Sequence, residues 1–403
     1  MSEVTPARQG NPGEVFLAFL KLGLTSFGGP IAHLGYFRDE LVTRRRWIDE
    51  QGYADLVALC QFLPGPASSQ VGFALGLWRG GPLGALAAWT AFTLPSAILL
   101  VLLALGAGAL DGPVAQGVLH GLKIVAVAVV AQAVWGMARS LAPDRQRSAI
   151  AVAALAVTML AAGSIGQVAA IGLGVVAGLV WCRGEVAATH ATASFGISKR
   201  FGAAMLALFG VLLFGLPLLA NVAGSQGLNL FDAFYRAGSL VFGGGHVVLP
   251  LLDAEVVGKG WVSGDEFLVG YGAAQAVPGP LFTFAAFLGA VSGPVPNGAL
   301  GAAIALVAVF LPGFLLLVGV LPFWDAFRAR PLAQAGMRGA NAAVVGILGA
   351  ALYDPVWVSA IVRPVDVVLA VAGFVLLMVW KAPPWVVVDG LAVAGGVMGA
   401  VGY

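Results

Sequence analysis

Charged side chains are scarce in this sequence. Only 10% of the 403 residues are Asp, Glu, Lys or Arg, whereas hydrophobic residues make up 60%. A soluble domain needs roughly a quarter of its residues charged, so a water-soluble fold is excluded. The net charge of +2, and the lack of a basic run interleaved with aromatic residues, argue against nucleic acid as a partner.

The motifs of several protein classes are also missing. The two cysteines, Cys60 and Cys182, form no CxxC pair, which argues against a disulfide scaffold or a zinc site. No HExxH, GxSxG or phosphate-binding GxxxxGK[ST] motif occurs, so we predict neither an enzyme nor an ATP-driven pump, and no cofactor or metal. The first residues lack the pattern of a cleaved signal peptide, so we expect the first apolar segment to remain in the mature protein.

Long apolar stretches are present instead. A helix needs about 20 apolar residues to cross a bilayer. Four stretches meet this length, namely Pro82–Gly106, Val114–Ala138, Gly202–Val222 and Ala299–Val320. The sequence therefore predicts an all-α polytopic membrane protein, embedded in the lipid bilayer by about ten to thirteen segments.

The chain repeats itself. It reads LTSFGGP around Phe27 and SLVFGGGH around Phe242, and then QFLPGP from Gln61 and QAVPGP from Gln275. The shifts of the two pairs along the chain differ by a single residue. Ordered landmarks at a nearly constant shift indicate a duplication. We predict a first repeat over residues 1–185, a linker with an extra transmembrane helix over 186–225, and a second repeat over 226–403.

Loop charges predict that the two halves are inverted. The loop between the first two motifs holds four arginines between residues 38 and 46, whereas its counterpart holds only Lys259. The imbalance reverses later, because residues 107–120 contain no Lys or Arg but residues 328–338 contain three arginines. Basic loops favour the cytoplasm, so equivalent loops prefer opposite sides. The extra span Gly202–Val222 would give the second half the opposite orientation in the membrane.

The proline and glycine motifs interrupt apolar segments at matching positions. Proline breaks a helix and glycine lets the chain turn, so each half is predicted to contain two broken or re-entrant segments that meet near the bilayer middle. A complete crossing at each motif is the alternative. Interrupted segments of this kind mark the binding sites of transporters, and exposed N–H groups at restarting helices suit an anion. The four breaks are Phe27–Pro30, Pro64–Pro66, Phe242–Gly245 and Pro278–Pro280.

Two cations stand inside apolar segments, each six residues before the phenylalanine of its glycine motif. They are Lys21 and Arg236, and the repeat makes them equivalent. A charge at membrane depth is costly, which favours a role in substrate binding. The alternatives are a side chain that reaches the interface, or a structural pair with Glu14 or Asp232.

Other polar side chains lie beside the breaks. Ser68 and Ser69 fall in the first turn after the first PGP motif and could contact a ligand or cap the helix. Gln61 and Gln275 are repeat equivalents that could donate to an oxyanion or satisfy a freed carbonyl. Lys123 is a further substrate-binding candidate, because its repeat equivalent is the neutral Asn341 and this difference indicates functional asymmetry between the halves.

Three residues are candidates for carrying protons. His33 and His246 follow the two glycine motifs, and histidine titrates near physiological pH. Their alternative role is a hydrogen bond to a broken helix end. Asp55 begins a membrane segment, where a helix-start carboxylate is the alternative interpretation.

These motifs resemble the chromate ion transporter family, in its long-chain, two-domain form. The resemblance implies a multi-pass antiporter of the bacterial inner membrane that extrudes chromate with the proton motive force and confers chromate resistance. The family's motif positions include Phe242 and His246. Those that are candidates for substrate binding are Phe27, Gly28, Gly29, Pro30, Gln61, Pro64, Gly65, Pro66, Gly243, Gly244, Gly245, Gln275, Pro278, Gly279 and Pro280.

The second half departs from the first at these motifs. It has Gly245 where the first half has Pro30, and Leu-Phe-Thr where the first half has Ala-Ser-Ser after the PGP motif. We therefore expect the second half to supply scaffold and gate more than anion contacts. Chromate and sulfate are similar tetrahedral dianions, so a sulfate or other oxyanion carrier, or a passive anion channel, stays open. A second copy of the chain is a further candidate partner.

Overall fold

The computed structural model describes residues 10–107, 112–161, 163–183, 195–242, 245–324, 326 and 330–402. Over these ranges the chain is helical and contains no strand, which confirms the predicted all-α class. Six described helices are long and apolar enough to cross a membrane, and three shorter apolar helices accompany them. The total number of membrane segments stays a prediction.

The described part of the first half consists of helices of very different length. They are α1 (Pro12–Thr25), α2 (Gly29–Phe37), α3 (Glu50–Phe62), α4 (Ala67–Ala107), α5 (Pro113–Leu141), α6 (Arg145–Leu160) and α7 (Gly163–Trp181). A π-helical segment, Arg38–Arg44, continues α2. The short helices α1, α2 and α3 end at the predicted glycine and proline motifs or begin from them.

The second half follows the same order after the extra helix α8 (Lys199–Ala223). Its helices are α9 (Gln226–Ser239), α10 (Val248–Leu252), α11 (Gly264–Ala274), α12 (Phe284–Val291), α13 (Gly298–Val320), α14 (Pro331–Ala351), α15 (Pro364–Met378) and α16 (Pro384–Ala400). π-helical segments follow α10 at Asp253–Val257 and α14 at Leu352–Trp357. The first of these is the repeat equivalent of the π segment in the first half, since both begin at matching positions.

Helix α4 is two helices joined by a tight turn. Gly81 has φ 64° and ψ −160°, a conformation that residues with a β-carbon avoid. The arms 67–79 and 82–107 pack against each other so closely that a β-carbon on Gly76 would lie 2.5 Å from the carbonyl oxygen of Gly84. Helices α12 and α13 form the same kind of hairpin, because a β-carbon on Gly289 would overlap the Gly301 carbonyl oxygen.

The chain returns to its starting end after each PGP motif. Arg79, at the end of the first arm of α4, forms an ion pair with Glu14 at 3.1 Å and lies over the ring of Trp47, which precedes α3. In the second half, the Gly293 N–H donates to the carbonyl of Trp261 at 2.8 Å. The segments 47–79 and 261–293 therefore leave one end of the helical bundle and come back to it.

The two halves interlock. Helix α5 of the first half packs on α16 of the second, where a β-carbon on Gly117 would overlap the Gly395 carbonyl oxygen. Helix α14 of the second half packs on α7 of the first, with Gly339 against Gly174. Such backbone approach through small residues is how helices associate in lipid. Because helices of the two halves pack on each other, the structure does not separate them into two bodies. The domain boundaries therefore stay a prediction from the sequence.

Candidate functional site

The four helix breaks meet at one place, called here the crossing. The N–H of Gly65 donates to the carbonyl of Val241 at 2.8 Å, and the N–H of Gly279 donates to the carbonyl of Ser26 at 2.8 Å. In the repeat, Val241 is the equivalent of Ser26, and Gly279 is the equivalent of Gly65. Each PGP motif therefore bonds to the glycine motif of the other half, in a pair of contacts that the repeat makes equivalent.

Local backbone conformation explains the glycines at the crossing. Gly28, Gly65 and Gly279 have φ angles of 96°, 121° and 101°, which side chains with a β-carbon rarely adopt. The two glycine motifs also touch each other, because a β-carbon on Gly245 would lie 3.1 Å from Cγ of Pro30. Gly243 and Gly244 lie outside the described residues.

Buried polar side chains of the first half lie in the segments that form the crossing or that pack on it. We call this set the polar cluster, and its members are Ser26, His33, Ser68, Ser69, Gln70, Thr93 and Ser96. Nδ1 of His33 lies 3.4 Å from Oγ of Ser68. A β-carbon on Gly279 would lie 2.9 Å from Oγ of Ser96, so the PGP motif of the second half packs directly on the cluster.

Gln70 ties the cluster to the second half. Its Nε2 donates to the carbonyl of Pro64 at 3.1 Å and to the carbonyl of Gly313 at 2.9 Å. Gly313 in turn packs on Pro66, because a β-carbon on Gly313 would lie 3.0 Å from Cδ of Pro66. The amide therefore satisfies a carbonyl at the break Pro64–Pro66 and joins this break to helix α13 of the second half.

Several atoms of the cluster are buried without a hydrogen-bond partner among the described residues. They are Oγ of Ser26, Oγ of Ser69, Oε1 of Gln70 and Oγ1 of Thr93, and Nε2 of Gln275 shares this property. Buried polar atoms are normally paired, and each unpaired one costs about 1–3 kcal/mol. A group of unpaired donors and acceptors at a helix break can hydrogen-bond a polar ligand.

Most of the equivalent positions of the second half are apolar. Val241 replaces Ser26, Val248 replaces His33, and phenylalanines at 282, 284 and 310 replace Ser68, Gln70 and Thr93, all of them buried. Thr283, which replaces Ser69, donates its hydroxyl to the Pro280 carbonyl at 2.8 Å and is satisfied. The crossing is therefore lined mainly by polar side chains of the first half and by apolar side chains of the second. The exceptions in the second half include Gln275, with its unpaired amide, and His246, whose Nε2 lies 4.0 Å from the β-carbon position of Gly29.

The predicted cations Lys21 and Arg236 have carboxylate partners. Lys21 pairs with Glu40 at 2.9 Å, whereas Glu14, the alternative partner from the sequence, pairs with Arg79. Arg236 pairs with Asp232, and its Nη1 lies 3.7 Å from Oε1 of Glu255. The structure thus gives each cation an ion pair and shows no contact between them and the polar cluster.

Glu40 and Glu255 are equivalent residues that the sequence reasoning missed. Glu40 also accepts hydrogen bonds from Arg44 and Arg45, and Glu255 accepts one from Lys259. Burial disfavours the charged form of Glu40, but hydrogen bonds from Lys21, Arg45 and Arg44 outweigh burial and lower its pKa to about 2. The signal was a glutamate followed four residues later by a basic residue, at the same position in both halves.

The remaining substrate-binding candidates lie in different surroundings. Gln61 is exposed, whereas its equivalent Gln275 is half-buried. Lys123 pairs with Asp265 at 2.8 Å and lines a separate cavity of about 520 Å³. The ring of Phe27 packs against Trp385, with 6.5 Å between centroids.

The three proton-carrier candidates differ in their contacts. His33 belongs to the polar cluster, and Nδ1 of His246 lies 2.7 Å from the hydroxyl of Tyr271. Oδ1 of Asp55 accepts from Gln51 at 3.4 Å. Within the described residues, no group of three or more His, Cys, Asp or Glu side chains is arranged to hold a metal ion.

Comparison with known proteins identifies relatives of the whole chain. The family model described as "Chromate transporter" matches residues 13–180 and 228–400. A chromate transport protein of Pseudomonas aeruginosa is 30% identical over 94% of this chain and 90% of its own length. A chromate transport protein of Cupriavidus metallidurans is 27% identical, covering 95% of this chain and 92% of its own length. A probable chromate transport protein of Synechococcus elongatus is 30% identical over 83% of this chain and 82% of its own length. No solved structure matches.

Proposed function

Because this chain belongs to the chromate transporter family, we propose that it carries chromate, or a closely similar tetrahedral dianion, across the cytoplasmic membrane. The chain is a multi-pass membrane protein of two homologous halves, so transport rather than enzymatic catalysis is the expected activity. The proposed direction is export from the cytoplasm, driven by the proton motive force, which would confer chromate resistance.

The unpaired polar atoms at the crossing are the observation that carries this proposal. Ser26, Ser69 and Thr93 each have a hydroxyl that can donate to an oxyanion, and Gln275 has an unpaired amide N–H group. Backbone N–H groups at the restarting helices add a partial positive charge. A site of neutral donors binds a dianion without a permanent ion pair, so that the anion can be released on the other side.

The path of the chain supports the proposed membrane arrangement. The segments 47–79 and 261–293 each return to the end at which they began, as re-entrant hairpins do. Irregular backbone at membrane depth is tolerated where protein covers it, and Gly65 and Gly279 are covered by the opposite half. We therefore propose an inverted repeat whose two pairs of broken helices enclose the binding site between the halves.

The polar cluster also gives His33 a proposed role in coupling. Nδ1 of its ring lies 3.4 Å from the hydroxyl of Ser68, in the first turn after the PGP motif, so its charge state would be sensitive to an anion at the crossing. His246 and Asp55 stay further candidates for proton transfer, and a homodimer stays a prediction. Each of the three cations already pairs with a carboxylate, so we propose that they attract the anion through their electrostatic potential and do not contact it directly. They are Lys21, Arg236 and Lys123.

Chromate exchange in proteoliposomes tests the proposal. Purified protein is reconstituted with chromate on both sides, and the exchange of radiolabelled chromate is measured with and without excess sulfate. Ser69→Ala is compared with Thr283→Ala, its equivalent in the other half. We expect Ser69→Ala to raise the half-saturating chromate concentration about tenfold, because a lost hydrogen bond to a charged ligand costs about 1.5 kcal/mol or more, and Thr283→Ala to change it less than twofold.

The outcomes separate the alternatives. Exchange that sulfate abolishes at equal concentration would assign the site to sulfate or to oxyanions generally. A sustained single-channel current without any gradient of protons would identify a passive channel. The absence of chromate exchange above protein-free liposomes would reject the proposed substrate.

A further inference from the structure

A second cavity lies away from the crossing, between the tip of the α6–α7 hairpin and the two π-helical segments of the second half. Its volume is about 260 Å³, and its lining includes Asp253, Asp354 and Gln167. No Lys, Arg or His is among the described residues that line it. The cavity therefore brings two carboxylates together without a basic side chain to neutralise them.

Two oxygens beside this cavity lack a donor. Gln167 is 6% exposed, and its Nε2 donates to the Pro250 carbonyl at 2.8 Å, which leaves Oε1 unpaired. Oδ1 of Asp253 is buried and likewise has no partner among the described residues. An ionised carboxylate and an amide oxygen are both acceptors only, so they cannot satisfy each other. A proton on Asp253 would supply the missing donor.

The other charged groups on the surrounding helices are engaged elsewhere. Glu255, on the same π segment, accepts from Lys259 and from Ser164 of α7, and Arg236 of α9 lies beside it. Arg236 also pairs with Asp232, and Asp265 of α11 pairs with Lys123. In the part of the chain that the structure describes, neither carboxylate of the cavity forms an ion pair with a cation of these helices. A poorly solvated carboxylate without a cation is stabilised by taking up a proton.

The backbone at both carboxylates is irregular. Asp253 begins a π-helical segment, and Asp354 interrupts another with φ −131° and ψ 118°. Interruptions of this kind recur at functional sites, and unwound backbone in transporters often lines ion sites. Asp253 is half-buried and Asp354 is exposed, which gives the deeper carboxylate a route to water.

The first half has no equivalent of this arrangement. Arg38 is the repeat equivalent of Asp253, and its Nε donates to Glu50. The carboxylate pair is therefore not a feature that duplication imposed on both halves, which argues for a role specific to the second half.

We propose that Asp253 and Asp354, supported by the Gln167 amide, form the binding site of the proton that drives transport, whereas His33 responds to the anion at the crossing. This inference rests on the proposed function and names residues for its coupling step. The proton enters from water at Asp354, moves to Asp253, and leaves to the opposite side during the transport cycle. No covalent bond other than the O–H bond forms or breaks.

Two transport assays on the reconstituted full-length protein separate coupling from anion translocation. Chromate exchange at equal pH needs no net proton movement, whereas chromate accumulation driven by a pH gradient does. We expect Asp253→Asn to keep exchange within about twofold and to lower proton-driven accumulation at least tenfold. Asp354→Asn should lower accumulation less, because the exposed carboxylate can be replaced by water. Asp39→Asn, an exposed carboxylate on the first-half π segment, is the matched control and should change neither assay.

Proton-driven accumulation that survives in Asp253→Asn would overturn the inference, as would accumulation that follows a Na⁺ gradient at constant pH. If the wild-type protein exchanges no chromate, the proposed function fails, and the proton site is still tested by infrared spectroscopy. A carboxylic acid band that titrates in the wild-type protein and is lost in Asp253→Asn supports the site. An unchanged band in that variant rejects it.

Discussion

The two halves of this protein share a scaffold but differ in what they place on it. Both halves break their helices at the same positions, both hold a π segment with a glutamate paired to cations, and both bond a PGP motif to the glycine motif of the other half. Yet the first half places seven buried polar side chains in the segments of the crossing, whereas the second half places mainly valine and phenylalanine there, with Gln275 and His246 among its polar side chains.

This difference shows how duplication can divide a task. Backbone geometry must be kept in both halves, because each break is completed by a hydrogen bond from the other. Side chains at the crossing are under no such constraint. One half can therefore supply ligand contacts while the other supplies a hydrophobic wall, which strengthens electrostatic interactions by excluding water.

The largest expected effect tests the shared scaffold. Gly65→Ala and Gly279→Ala should each lower the free energy of unfolding by about 2–4 kcal/mol, because they combine positive-φ strain with overlap against the neighbouring helix. Gly112, with φ 104° and open space around it, is the matched control, and Gly112→Ala should cost only about 1–2 kcal/mol from strain. Thermal unfolding in detergent measures all three. A large decrease in the free energy of unfolding at only one of the two PGP glycines would show that the two halves are not equivalent.

The next effect tests the polar side of the crossing. Thr93→Val removes an unpaired buried hydroxyl without changing side-chain shape, and it should weaken chromate binding about tenfold to hundredfold. Thr90→Val is the control one turn earlier on α4, where the hydroxyl bonds to its own helix at 2.8 Å. Equilibrium binding measured for both variants checks this. Equal affinities in the two variants would remove Thr93 from the site.

A smaller effect concerns the paired glutamates. The pKa of Glu40 in the folded protein, about 2, lies below its ordinary value of 4.5, so its stabilisation is present above pH 4.5 and is lost as the pH falls towards 2. Because Lys21 and Arg44 are at least half exposed, we expect a contribution of about 1–2 kcal/mol after solvent screening. Unfolding measured against pH should show a slope below pH 4.5 that Glu40→Gln reduces. An unchanged slope in this variant would assign the acid sensitivity to other carboxylates.

The smallest effect compares two equivalent glutamines. Gln275→Ala removes an unpaired amide near the crossing and should raise the half-saturating chromate concentration about threefold, whereas Gln61→Ala alters an exposed side chain and should have no effect. Chromate exchange kinetics measure both. A stronger effect at Gln61 would mean that this exposed side chain faces the transport pathway.

Much of the scaffold could be predicted from the sequence, because duplication, helix breaks and hydrophobic length are local signals. The breaks at Phe27–Pro30 and Pro64–Pro66 coincide with helix ends in the structure. The polar cluster was only partly predicted. Thr93 lies in the FTLP segment, and its repeat equivalent is Phe310. A polar residue in one half at the position of a phenylalanine in the other was a signal for a polar side chain at the crossing.

Other features depend on packing that the sequence does not encode locally. The pairing of Lys21 with Glu40 joins residues far apart in the chain and depends on the π segment that turns the glutamate towards α1. The roles of Ser26 and Gln70 become visible only once Gly279 and Gly313 of the other half lie against them or beside them. Contacts between halves are set by the whole bundle rather than by a motif.

Locating the bound anion tests the central claim most directly. The protein is crystallised or imaged with chromate, whose chromium can be identified by anomalous scattering in a crystal. We predict a single site at the crossing, with oxygens within hydrogen-bond distance of Ser69 and Thr93 and with no direct contact to Lys21 or Arg236. A site in the cavity beside Lys123, or one held by the cations of either half, would contradict the account.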